Sequence, residues 1–169
     1  MWKQLTQKAR RAIFLAQEEA GRLGYNHVGP EHLLLALIRE EDCVATRILE
    51  GLGVDPGTVR VRMMGELARG SDMLGEDMQL TAEAKRAIDL AFEEGKQMNE
   101  DWVGTEHLLV GLVRATSGAA SKVLTELGAD ASQIRGQLRD LQGGTLPLGH
   151  IEGDGHGSVS ASSVQSGTH

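Results

Sequence analysis

Two stretches of this chain read as near copies of one another, 75 residues apart. Leu5 to Glu66 aligns with Leu80 to Leu141 without a gap, and 24 of the 62 paired positions are identical. The best-matched piece is Val28-Gly29-Pro30-Glu31-His32-Leu33-Leu34 against Val103-Gly104-Thr105-Glu106-His107-Leu108-Leu109. A duplication at this period predicts two copies of one supersecondary unit, packed with pseudo-twofold symmetry. It also sets a test for function: a residue that carries chemistry should come as a pair.

Each copy reads as four helices, so the expected fold is all-α, with two pseudo-symmetric four-helix repeats over about 5–67 and 80–142. The first helix spans about Thr6 to Leu23, with Ala9, Ala12, Ile13, Ala16, Ala20 and Leu23 at helical spacing. Thr6 and Thr81 stand where an N-cap belongs. Gly24 and Asn99, the residue types most tolerant of a left-handed cap, close the first helix of each copy. The second helix starts at Gly29 or Gly104. Pro30 suits its first turn, because the N–H that proline lacks is unpaired there in any case. Leu33 to Ile38 is apolar all round, as in a buried central helix. A third helix covers about Val44 to Leu52 and ends at Gly53, matched by Gly128. The fourth opens at Asp55 or Asp130 and turns Val59 and Met63, or Ile134 and Leu138, to the core. The short bridge from Gly70 to Gln79 implies that the halves pack on each other. From Gly143 to His169 the chain turns to Gly, Ser and His without an apolar period. Such a segment cannot offset the entropy of ordering it, so a flexible tail or linker is expected.

Composition narrows the function classes. A formal net charge of −7 argues against general binding to nucleic acid or an anionic membrane, both of which need a basic face. The only cysteine, Cys43, pairs with Gly118 in the second copy and so fails the pairing test. Without a disulfide framework or a signal peptide, the expected compartment is the cytoplasm. The longest apolar run, Leu33 to Ile38, is too short to span a bilayer. No Gly-x-x-x-x-Gly-Lys-Ser/Thr loop occurs, so neither ATP binding nor any other cofactor is expected of this chain.

The pattern Thr-x-x-Ala-x-x-Ala-Ile, followed by Val-Gly-Pro-Glu-His-Leu-Leu-Leu-Ala-Leu-Ile-Arg-Glu and Leu-Gly-Val-Asp, resembles the Clp N-terminal domain. It is most similar to the version carried by ClpC-type AAA+ unfoldases. The resemblance covers Trp2 to Gln142 and recurs in the second copy as Val-Gly-Thr-Glu-His-Leu-Leu-Val-Gly-Leu-Val-Arg. It implies eight helices and a non-catalytic module that receives substrates or adaptor proteins for a Clp unfoldase, in cis or in trans. It also implies recognition of arginine-phosphorylated proteins, carried over by motif to Glu31 and Glu106, with Thr6 and Thr81 as phosphate-side candidates. A carboxylate can accept paired N–H bonds from a guanidinium, while helix N-terminal N–H groups welcome a phosphate. The plainer account of both glutamates is that a first-turn carboxylate complements the helix dipole and binds nothing. Pro30 replaces Thr105 in the first copy and removes a hydroxyl and a backbone donor beside Glu31. If phosphate is gripped at that helix end, the first site should be the weaker.

Other pairs have bland explanations. His32 and His107 each lack a second ligand at metal-binding spacing and read as packed or hydrogen-bonded helix-start residues, so no metal site is expected. The Glu18-Glu19 and Glu93-Glu94 pairs read as a solvated helix face. Two rival functions are a small metal- or thiol-dependent hydrolase and a ligand-free structural helical module. The hydrolase would need an unpaired active site on a paired scaffold, and no group is placed to activate Cys43.

Overall fold

The computed structural model describes residues 2–40, 42–67, 79–115 and 118–143. All but the last residue of the inter-repeat bridge, and the tail beyond Gly143, lie outside them. The helices of the first repeat are α1 (Gln7–Arg22), α2 (Pro30–Arg39), α3 (Val44–Gly51) and α4 (Pro56–Glu66). Those of the second are α5 (Ala82–Gln97), α6 (Thr105–Arg114), α7 (Ala119–Glu126) and α8 (Ala131–Gln142). Every helix of the second repeat starts 75 residues after its counterpart. The duplication is therefore one of structure as well as sequence.

Local chemistry fixes the helix ends. The Thr6 and Thr81 hydroxyls accept the N–H groups of Ala9 and Ala84 at 3.1 and 3.0 Å. Asp55 and Asp130 do the same for Thr58 and Gln133 at 3.0 and 2.8 Å. Each such cap satisfies one of the N–H groups that a helix start leaves unpaired. At the other end of α1 and α5, Gly24 and Asn99 take positive φ angles of 83° and 58°.

α2 and α6 run through the centre, with Leu34 and Leu109 both fully buried. The pseudo-twofold relation shows in a reciprocal joint. Thr6 N–H donates to the Val103 carbonyl, and Thr81 N–H to the Val28 carbonyl, each at 2.9 Å. Around these bonds the two-residue strand β1 (His27–Val28) pairs in parallel with β2 (Gln79–Leu80), and Leu5 bridges Val103 in the same sense. Segments this short show no readable period, so sequence did not announce them. Their consequence is specific: the start of α5 is held beside the start of α2, and the start of α1 beside that of α6. The third helices also cross over. α3 packs on α6 and α8, while α7 packs on α4 and α2 as well as on α6. Lys122 of α7 pairs with Glu66 of α4 at 3.2 Å.

The paired glutamates are not one solvated face. Glu18 and Glu93 are exposed, but Glu19 and Glu94 are buried. Glu19 accepts from Arg39 at 3.2 Å and Arg60 at 3.3 Å. Glu94 accepts from Arg114 at 3.4 Å and Arg135 at 2.6 Å. The bond from Arg135 holds the Glu94 carboxyl below the usual carboxylate range, against the opposing effect of burial. All six residues obey the 75-residue offset, so each repeat contains one buried carboxylate that ties its first, second and fourth helices together.

Candidate functional site

The joint between the repeats creates a cleft. His27, Gly29, Pro30 and Glu31 from the first repeat face Thr81, Glu83 and Gly118 from the second, around a volume of about 260 Å³. Neither repeat could form it alone.

The backbone at its floor is set by His32. Its Nδ1 accepts the Gly29 N–H at 2.9 Å, and His107 Nδ1 accepts Gly104 N–H at the same distance. The ring thus closes the helix N-terminus in the way a Glu or Gln does at the third position. Burial pushes the His32 pKa down to about 4, with the neighbouring His27 charge acting in the same direction. His32 is therefore neutral at pH 7. Its ring proton must sit on Nε2, because Nδ1 is the acceptor.

The Glu31 carboxylate lies between two helix starts. A Cβ on Gly29 would come within 2.6 Å of Glu31 Oε1, and one on Gly118 within 3.3 Å of Oε2. Gly118 caps α7 with φ at 106°, a conformation that costs a side-chain-bearing residue strain. Thr81 lines the same cleft. Its oxygen accepts the Ala84 N–H, and its hydroxyl proton remains to be donated. Glu31 and Glu83 stand on the wall of the cleft, and neither lysine nor arginine is among the lining residues.

The equivalent place in the second repeat is built differently. Thr6, Thr105, Glu106 and Cys43, the counterparts of Thr81, Pro30, Glu31 and Gly118, are exposed by 2%, 0%, 2% and 0%. Thr105 Oγ1 accepts the Ala45 N–H of α3 at 3.1 Å. Proline cannot do this for α7. The replacement of Thr105 by Pro30 therefore does more than remove a donor beside Glu31. It leaves the start of α7 without a threonine cap and the cleft beside it open. The Thr105 hydroxyl is engaged within the fold.

Glu100, Glu106 and His107 come together in the second repeat, a grouping their sequence spacing did not suggest. His107 Nδ1 already receives the Gly104 N–H, and its Nε2 lies 3.3 Å from Glu100 Oε1. That is a helix-capping ring with a carboxylate oxygen close to its other nitrogen. Tyr25 stands in the place of Glu100 in the first repeat, where its ring packs edge-on against His32 with centroids 4.7 Å apart. Cys43 is buried against the Leu37 carbonyl and the Thr46 hydroxyl.

The described residues form a duplicated eight-helix domain with a cleft at the seam between its repeats. The sequence profile of the Clp repeat (R) N-terminal domain matches residues 4–144, and the chain belongs to that family. It is 43% identical over 138 residues to the chloroplastic chaperone protein ClpC1 of Arabidopsis thaliana, covering 82% of this chain and 15% of that one. It is 40% identical over 159 residues to the ATP-dependent Clp protease ATP-binding subunit ClpA homolog of Guillardia theta, covering 94% of this chain and 19% of that one. The chain thus spans less than one fifth of these relatives. The N-terminal domain of the Arabidopsis thaliana chaperone ClpD superposes with a TM-score of 0.66 at 29% identity, covering 84% of this chain and 96% of that one.

Proposed function

We propose that this domain receives proteins for an ATP-driven Clp unfoldase, joined to it in cis or acting in trans, and performs no catalysis itself. Its partners are adaptor proteins and substrate segments. The ligand its cleft is built to hold is an arginine side chain phosphorylated on the guanidinium. The observation that carries this reading is the position of Glu31. Its carboxylate lines the cleft between the repeats, within reach of the N-terminal ends of α2 and α7. A guanidinium can present paired N–H groups to that carboxylate, while its phosphate is met by the Thr81 hydroxyl and the N–H groups at the start of α7. Among the described residues no helix is long and apolar enough to cross a membrane. Relatives named as chloroplastic add the plastid to the cytoplasm as a compartment for such a module.

The test is calorimetric titration of phosphoarginine into the wild type and Glu31→Gln. Glutamine preserves size and removes charge. If the carboxylate only complements the helix dipole, the change costs about 0.3–1 kcal/mol of stability and no binding. If it holds a guanidinium, the fold survives and affinity drops by about 1.5–3 kcal/mol. Absence of binding to the wild type would remove phosphoarginine and leave general substrate or adaptor docking.

A further inference from the structure

We infer that the duplicated domain carries one working guanidinium site rather than two. It lies where α2 and α7 begin, and the equivalent place at α6 and α3 has become a structural joint. This inference rests on the phosphoarginine reading of the Glu31 cleft.

Three differences between the halves support it, and each substitutes a different pair of residues. At the first pair, Thr105 in α6 accepts the Ala45 N–H of α3 at 3.1 Å, whereas Pro30 has no hydroxyl to offer the start of α7. Capping seals one helix start and leaves the other available. The second pair is Gly118 and Cys43. Gly118 is exposed, its φ is 106°, and its missing Cβ leaves the Glu31 carboxylate uncovered. Cys43 adopts ordinary extended backbone, with φ at −101°, and its thiol is buried against the Leu37 carbonyl. The third pair is Tyr25 and Glu100. Tyr25 packs on His32, while Glu100 reaches His107 Nε2 at 3.3 Å and joins Glu106 in an enclosed polar cluster. The outcome shows in the exposures: Glu31 and Thr81 are half-buried, Glu106 and Thr6 almost wholly buried. A guanidinium entering the second place would have to break the Thr105–Ala45 bond and part α3 from α6. In the first place it enters a cleft that already exists.

The prediction is therefore opposite to the one drawn from the loss of the Thr105 hydroxyl alone. Titrating phosphoarginine into the full chain should saturate at one equivalent. Glu31→Gln should weaken binding by about 10- to 150-fold. Glu106→Gln should lower the melting temperature and leave affinity and stoichiometry unchanged. Gly118→Ala, checked for native circular dichroism, should also weaken binding by crowding the Glu31 carboxylate. Because Glu106→Gln could compromise folding, stoichiometry on the wild type serves as an independent readout. Two equivalents, or equal losses from the two glutamine variants, would overturn the single-site inference and leave the phosphoarginine reading intact. No heat of binding to the wild type would overturn both.

Discussion

The Thr105 hydroxyl accepts the backbone N–H of Ala45, 60 residues earlier in the chain, at 3.1 Å in a fully buried setting. Through this bond the second helix of one repeat caps the third helix of the other. Its counterpart in the other half is absent, since Pro30 occupies the threonine position. Thr105→Val keeps the shape and removes the acceptor, leaving a buried N–H without that partner. The expected loss is about 1–3 kcal/mol in urea unfolding. An unchanged midpoint would show that the bond is not a structural joint.

Gly111 provides a prediction of sign. Mid-helix glycine ordinarily costs stability relative to alanine, by about 0.5–1 kcal/mol. Here α5 and α6 pass so closely that a Cβ on Gly111 would meet the Ala87 carbonyl oxygen at 2.2 Å and the Ala91 nitrogen at 3.0 Å. Both obstacles are backbone and cannot rotate away. Gly111→Ala should therefore destabilise by about 1–3 kcal/mol, the usual range for overpacking. Ala36, at the same position of α2, shows that the first repeat accommodates the methyl. Thermal melts of Gly111→Ala and Ala36→Gly should both fall below the wild type; a stabilised Gly111→Ala would contradict the close approach.

His32 makes stability depend on pH. Its folded pKa is pushed down to about 4, below the value of about 6.5 for an exposed histidine. The folded state thus favours the neutral ring, and the unfolded chain binds the proton first. The contribution is complete above about pH 6.5, declines as pH falls from there, and levels off below about pH 4. Across that window it amounts to roughly 3 kcal/mol. His32→Gln retains a side-chain acceptor for the Gly29 N–H without a titrating ring. Its stability curve between pH 7 and 5 should be flatter than the wild type's; parallel curves would place the pH dependence elsewhere.

What sequence disclosed and what it withheld divide along the range of the interactions. Helix ends were legible because their caps are local: Thr6 with Ala9 and Asp55 with Thr58 are each three residues apart. The burial of Glu94 was not, because Arg135 reaches it from 41 residues away. The two-residue strands carry no period, yet they bring Thr81 to Glu31. Glu31 and Thr81 were both visible as candidates. That they belong to one cleft, each from a different repeat, required the fold. So did the sealing of the second place, since nothing in Val-Gly-Thr-Glu-His reveals that Thr105 faces the start of α3.

The most direct test of the account is a residue-resolved map of where an arginine-phosphorylated peptide binds. Backbone amide resonances of the isotope-labelled chain would be followed as the peptide is added. The account predicts the largest changes at Glu31, Thr81 and the first residues of α7, with those of Thr6, Glu106 and the start of α3 nearly still. Changes centred on Glu106 and Thr6, or spread equally over both halves, would contradict it.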